Sequence, residues 1–216
     1  MWKAKAFKLI PKIEEAYPNT RWLFVTFTVK NCDVEDLRQT LAEMNRGFRR
    51  MTHRKTWSAL GWVRTMEVTK GCDGKAHPHF HTLILVRNSY FKKHYLSQKK
   101  WTEIWRQCMK LDYDPILNVQ AIKQGKSGSS LVPELFKYCT KESDLVSDKE
   151  WLIELTRQLH KTRAIATGGV VKDFLKELEE EPMDLIGKDE DSEQDDEFGS
   201  VYFWWRRIEQ KYRMTD

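Results

Sequence analysis

No run of this sequence approaches the roughly 18 apolar residues that a membrane-spanning helix requires. The first sixteen residues interleave lysines with apolar side chains and so lack the unbroken apolar core of a signal peptide. No membrane partner is expected, and the reading is of a soluble, cytoplasmic protein. The four cysteines, Cys32, Cys72, Cys108 and Cys139, form no CxxC pair. That spacing argues against a zinc knuckle and against a secreted disulfide framework, and predicts reduced, space-filling thiols. No internal repeat is present. What is there suffices for one well-cored domain with an appendage: 216 residues, 40% hydrophobic and 12% aromatic, the composition of a folded globule.

The net charge of +5 conceals an asymmetry. Residues 177–197 hold twelve acids and one base, Lys188, which leaves 36 bases against 20 acids in the rest of the chain. A body that basic suits a polyanion, because each phosphate contact releases counterions. The acidic run reads as a solvated linker or loop, a solubilising spacer in preference to a DNA-mimicking shield for the basic body or a recruiter of a basic partner. The aromatic segment Val201-Tyr202-Phe203-Trp204-Trp205 that follows is too apolar for water and is expected to pack back on the body. The expected organisation is therefore a body over 1–176, an acidic segment over 177–197 and an aromatic segment over 198–216.

Residues 21–29, rich in β-branched and aromatic side chains, read as a buried strand. Asp33 is placed to cap a helix carrying Leu37, Leu41, Met44 and Phe48 at helical spacing. Residues 62–69 and 79–86 read as two strands joined by the turn chemistry of Gly71-Cys72-Asp73-Gly74. Ser97 is placed to cap a helix with Trp101, Ile104, Trp105 and Cys108. A further strand is expected over 116–122 and a flexible loop over 124–130. Pro133 opens a short helix containing Glu134, Leu135, Tyr138 and Cys139, and Asp148 caps another through His160. After Gly168-Gly169 the pattern weakens. Strands separated by helices, with a hairpin, predict an α+β fold with helices flanking a central antiparallel sheet.

The sharpest chemical feature is His77-Pro78-His79-Phe80-His81. On a strand, His79 and His81 share a face and can grip one divalent metal, while Phe80 turns to the core. A hairpin centred on Asp73 sets Glu67 across from His79 or His81 on the same face. Glu67 sits among Val63, Met66 and Val68, where an unpaired carboxylate is costly. A metal resolves that cost; a simple pairing with Arg64 or Lys70 is the alternative. Two imidazoles and a carboxylate leave coordination positions open and suit Mn2+ or Mg2+. Glu134 and Tyr138, four apart, share a helix face, and Lys137 and Lys141 flank the phenol. A phenol is a poor nucleophile near neutral pH, so nearby cations and a metal-polarised phosphate matter to its attack. The bland alternative is an amphipathic helix with a surface tyrosine.

These residues resemble, in four segments taken in order, the rolling-circle replication initiators (Rep proteins) of small bacterial plasmids, within the wider HUH endonucleases. Phe24-Val25-Thr26-Phe27-Thr28-Val29 resembles the family's first strand motif. Val63-Arg64-Thr65-Met66-Glu67-Val68-Thr69 resembles the strand before the metal motif. His77-Pro78-His79-Phe80-His81-Thr82-Leu83 resembles the His-hydrophobic-His motif. Glu134-Leu135-Phe136-Lys137-Tyr138-Cys139-Thr140-Lys141 resembles the motif of the subgroup that uses one tyrosine with a glutamate. A stretch over 163–172 is similar to the family's downstream pattern.

The resemblance implies an HUH-type, RRM-like sheet and a metal held by His79, His81 and Glu67. It implies attack by Tyr138 on a scissile phosphate of single-stranded or hairpin origin DNA, giving a 5′-phosphotyrosine and a 3′-hydroxyl that primes a polymerase. Glu134 would let water perform the second, terminating cleavage, and Lys137 and Lys141 would contact DNA. A host helicase and polymerase are the implied partners. His77, before Pro78, is read as a non-ligand at the strand mouth. Among Trp57, Trp62, Trp101, Trp105, Trp204 and Trp205, core packing is weighed above base stacking. The competing readings are a single-tyrosine transposase or relaxase, a non-catalytic DNA-binding protein, and a small-molecule metallohydrolase that lacks further ligands at suitable spacing.

Overall fold

The computed structural model describes residues 2–123, 126–136, 148–180, 203–206 and 211–214. Lys137, Tyr138, Cys139 and Lys141 lie outside the described residues. The chain divides into two compact units, 1–181 and 182–216. Among the described residues no helix is long and apolar enough to cross a membrane.

The first unit is built on a five-stranded antiparallel sheet. Its strands are β1 (Thr20–Thr28), β2 (Ala59–Lys70), β3 (Ala76–Arg87), β4 (Leu117–Ala121) and β5 (Ile165–Gly169), in the order β4-β1-β3-β2-β5. The helices are α1 (Trp2–Ala16), α2 (Leu37–Thr52), α3 (Tyr90–Lys93), α4 (Gln98–Met109), α5 (Val132–Leu135), α6 (Lys149–Leu159) and α7 (Val170–Glu180). This is the expected α+β arrangement of a central antiparallel sheet with flanking helices.

Both faces of the sheet are covered, which explains why β1 is nearly continuously apolar where a one-sided strand would alternate. On one face Leu23, Val25, Phe27, Met66, Val68, Phe80 and Ile84 pack against α2, α4 and α6. Phe27 and Trp105, both fully buried, meet at 5.0 Å; such a pair adds about 0.5–1.5 kcal/mol beyond its buried area. On the other face Trp22, Phe24, Val63, Leu83 and Leu85 pack against α1, α5 and α7. The apolar residues of this second face occupy one end of the strands only. Toward the other end the same rows continue as Thr26, Thr65, Glu67, His77, His79 and His81. Helix α1 has Ala6, Leu9, Ile10 and Ile13 buried at helical spacing beneath a lysine-rich outer face.

Several sequence expectations are met closely. Ser97 caps α4 by accepting a hydrogen bond from the Lys100 amide, and Trp101, Ile104, Trp105 and Cys108 form its buried face. Asp148 caps α6 through the Trp151 amide. Others are corrected. The Asp33 carboxylate makes no cap bond; it is drawn to Lys75 of the hairpin at 2.9 Å, and a 3-10 turn (Val34–Asp36) precedes α2. The hairpin is longer than 62–69 and 79–86, because its register runs on through Thr69↔His77 to Lys70↔Ala76. His77 is therefore inside the strand and not before it. The pattern does not fade after Gly168-Gly169: α7 follows at once, burying Val171 and Leu175, and takes in Glu177, Glu179 and Glu180. Cys108 is buried as expected, but Cys72 is exposed at the hairpin turn.

The second unit contains a two-stranded antiparallel ribbon, β6 (Phe203–Arg206) with β7 (Lys211–Met214), pairing Trp204 with Arg213 and Trp205 with Tyr212.

Candidate metal centre

Strand β3 is the middle strand, so its histidines stand at the centre of the sheet. Alternation aims His77, His79 and His81 to one face. The antiparallel register then lays out cross-strand rows on that face: Thr28, His79 and Glu67 in one, Thr26, His81 and Thr65 in the next. A turn centred on Asp73 fixes that register, and a slip of one residue would send every one of these side chains into the other core.

The Glu67 carboxylate reaches both imidazoles. Its Oε2 lies 2.8 Å from His79 Nε2 and 2.6 Å from His81 Nε2. One donor atom from each of the three residues falls within 4.8 Å of the others, the one candidate ion-holding cluster found among the described residues. Glu67 and His81 are each 9% exposed, so the cluster is reachable but largely dry. The alternative partners are engaged elsewhere. Arg64 projects from the opposite face, where it donates to Asn45 Oδ1 at 2.6 Å and lies between the Phe48 and Phe80 rings. Lys70 binds Asp148 at 2.6 Å.

Burial pushes the Glu67 carboxyl up, but hydrogen bonds from His79 and His81, with their charges, outweigh it and hold the carboxyl at about 2. Glu67 is thus an anion throughout the neutral range, as a metal ligand must be. Burial, then the charge of neighbouring His79, lowers the His77 imidazole and favours its neutral form. The His77 and His79 rings meet edge to face at 5.1 Å.

Supporting residues escape sequence reasoning because only cross-strand register reveals them. Thr26 Oγ1 lies 3.2 Å from His81 Nδ1, and the Phe24 ring stacks on the His81 ring at 5.5 Å and 16°. A ligating histidine is commonly oriented by just such a partner on its second nitrogen. Among the described residues, the buried Nδ1 of His79 has no hydrogen-bond partner. Two Nε2 atoms converging on one carboxylate oxygen make a donor set that fits a divalent cation: three protein ligands, mixed nitrogen and oxygen, with positions left open.

The short helix α5 is tied to the same face. Thr65, beside His81 in its row, donates to the Leu135 carbonyl at 2.6 Å. Val132 and Leu135 are buried, and Glu134 between them is partly buried. The chain is next described at Asp148, held by Lys70 at the metal end of β2. Leu135 and Asp148, which lie on either side of the undescribed residues 137–147, are thus bonded to β2 two residues before Glu67 and three after it.

Among known proteins, the profile of a family described as "Replication protein" matches residues 1–213. A "Replication protein" of Staphylococcus aureus is 36% identical over 95% of this chain and 95% of its own length. One from a Bacillus species shows the same identity and coverage. A "Protein rep" of Lentilactobacillus hilgardii is 34% identical over 88% of this chain and 67% of its own. No solved structure matches the chain.

Proposed function

Because this chain belongs to the replication protein family, we propose that it initiates rolling-circle replication of a plasmid by nicking single-stranded origin DNA through a tyrosine. The observation that supports the reading is that Leu135 and Asp148, the one shortly before the tyrosine motif's phenol and the other after it in sequence, are bonded to β2 on either side of Glu67, through Thr65 and Lys70. Tyr138 follows Leu135 by three residues, at most about 11 Å of chain, which supports Tyr138 as the nucleophile.

Glu67, His79 and His81 would hold the cation. When bound, a divalent ion there would supply Lewis acidity, drawing charge from a non-bridging phosphate oxygen. The Tyr138 oxygen gives up its phenol proton to solvent and forms a bond to phosphorus, the bond to the 3′ oxygen breaks, and the departing 3′ oxygen takes a proton from solvent to become the priming hydroxyl. The 5′ phosphate stays on Tyr138. Glu134, four residues before Tyr138 in the motif, acts as general base in the second cleavage: it takes a proton from the attacking water, whose oxygen bonds to phosphorus as the bond to the 3′ oxygen breaks. Lys137 and Lys141 offset phosphate charge around the phenol. The nearly dry setting of the cluster strengthens each of these electrostatic contributions. The fold thus serves as the nuclease domain of the one-tyrosine-plus-glutamate subgroup, and the physiological ion is Mn2+ or Mg2+.

Incubating the protein with labelled single-stranded origin oligonucleotides and Mn2+ tests the reading. A shortened product with a free 3′-hydroxyl and a protein-linked 5′ fragment is expected. Strand-joined products with no hydrolysis would favour a transposase, and no cleavage with any divalent ion would remove the enzymatic reading.

A further inference from the structure

Helix α2 carries a charged band on the side away from its core contacts. Leu37, Leu41, Met44, Phe48 and Met51 bury one face. Arg46, Arg49, Arg50 and His53, all exposed, line an open depression of about 400 Å³ on the other. Their spacing from 46 to 53 spans about 10 Å of helix, close to three base steps of one DNA strand at about 3.4 Å each.

The band continues beyond the helix. Lys55, Lys93 and His94 line a second depression together with Tyr95, which is 64% exposed. Two of the cations are fixed in place by neutral partners: Arg50 Nε donates to the Cys108 carbonyl at 2.5 Å, and Arg54 to Gln107 Oε1 at 2.9 Å. Gly47 lets this stretch sit directly on α4, since a Cβ there would collide with the Met109 sulfur. Among the described residues, Arg49, Arg50, Arg54, Lys55, Lys92 and Lys93 form no ion pair. Arg46 meets the exposed Glu43 carboxylate at 3.9 Å, but the band as a whole stays positive, and such a band on a packed helix pair is an electrostatic surface for a polyanion.

Its position separates it from the metal centre. Helices α2 and α4 cover the face of Phe27, Phe80 and Ile84, whereas Glu67, His79 and His81 project from the opposite face. We propose that the band is a second DNA-binding surface, which grips the phosphate backbone of duplex flanking the origin while the metal face handles the single strand. The choice of DNA as the polyanion rests on the proposed nicking function.

The test uses the full chain with Arg46→Ala/Arg49→Ala, two exposed side chains outside the helix packing, and separately Lys55→Ala/Lys93→Ala. Binding to a long origin-containing duplex is followed by fluorescence anisotropy across salt concentrations. Cleavage of a short single-stranded origin oligonucleotide is assayed alongside. The expected result is a salt slope shallower by about 2 for each double variant, duplex binding weakened about tenfold or more at low salt, and unchanged oligonucleotide cleavage. Wild-type duplex affinity and slope in both variants would overturn the proposal. So would an equal loss of duplex binding and oligonucleotide cleavage, which would make the band part of the nicking site. If wild type cleaves nothing, the nicking reading fails while the duplex measurement still decides the surface.

Discussion

The Thr65 hydroxyl donates a buried 2.6 Å hydrogen bond to the main-chain carbonyl of Leu135, joining the strand that carries Glu67 to the helix that carries Glu134. Leu135 ends α5, so its carbonyl has no partner within that helix. Thr65→Val keeps the side-chain shape and strands the carbonyl. A destabilisation of about 1–3 kcal/mol is expected in denaturant unfolding, with Mn2+ affinity unchanged because Thr65 is no ligand. A variant as stable as wild type would show that the link contributes nothing.

Metal binding should appear first in stability. At a cation concentration 100 times the dissociation constant, binding to the folded state alone adds about 2.7 kcal/mol. Wild type is therefore expected to melt higher with Mn2+, and His79→Ala or Glu67→Gln to lose that rise. Thr26→Val, which removes the partner of His81 Nδ1, is expected to weaken affinity by about 10–100-fold. Calorimetric titration measures this directly, and wild-type affinity in Thr26→Val would rule out an orienting role.

The depressed Glu67 carboxyl predicts an acid dependence in the metal-free protein. Its folded value of about 2 lies below its ordinary 4.5. The stability it contributes is therefore fully present above pH 4.5 and is lost as pH falls through about 2. Across that window EDTA-treated wild type should lose unfolding free energy more steeply than Glu67→Gln. Parallel curves would mean that the imidazoles do not hold the carboxylate in solution.

Much of the site could be read from the sequence because the needed rules are local. Two-residue alternation puts His79 and His81 on one face, and a turn centred on Asp73 brings Glu67 opposite His79. What the reading misses depends on distant contacts. Thr26 and Phe24 reach His81 only through the β1–β3 register. Asp33 resembles a helix cap until Lys75 arrives from the hairpin. Arg64 flanks Glu67 in sequence yet points into the opposite core, as strand alternation requires. Helix α7 is hidden by composition: its glutamates read as part of a solvated acidic run, while Val171 and Leu175 supply the buried face. Helix α1 goes unread in a similar way: its interleaved lysines serve only to exclude a signal peptide, while Leu9, Ile10 and Ile13 supply its buried face.

Gly169 is required by its backbone. It ends β5 with φ of +58°, and a Cβ there would strike the Leu60 carbonyl. Gly169→Ala is expected to cost at least about 1–2 kcal/mol, from strain in the left-handed region and from displacement of β2. Gly74, also at positive φ but with open space around it, should tolerate alanine better. Thermal unfolding of the two variants compares them, and equal losses would contradict the steric argument at Leu60.

The most direct measurement is identification of the residue that becomes joined to DNA. The protein is reacted with a single-stranded origin oligonucleotide and Mn2+, the covalent adduct is digested, and the modified peptide is sequenced by mass spectrometry. The account predicts a nucleotide on the Tyr138 oxygen, an adduct absent from Tyr138→Phe and accumulating in Glu134→Ala. A nucleotide on any other residue, or cleavage by Tyr138→Phe at the wild-type rate, would contradict it.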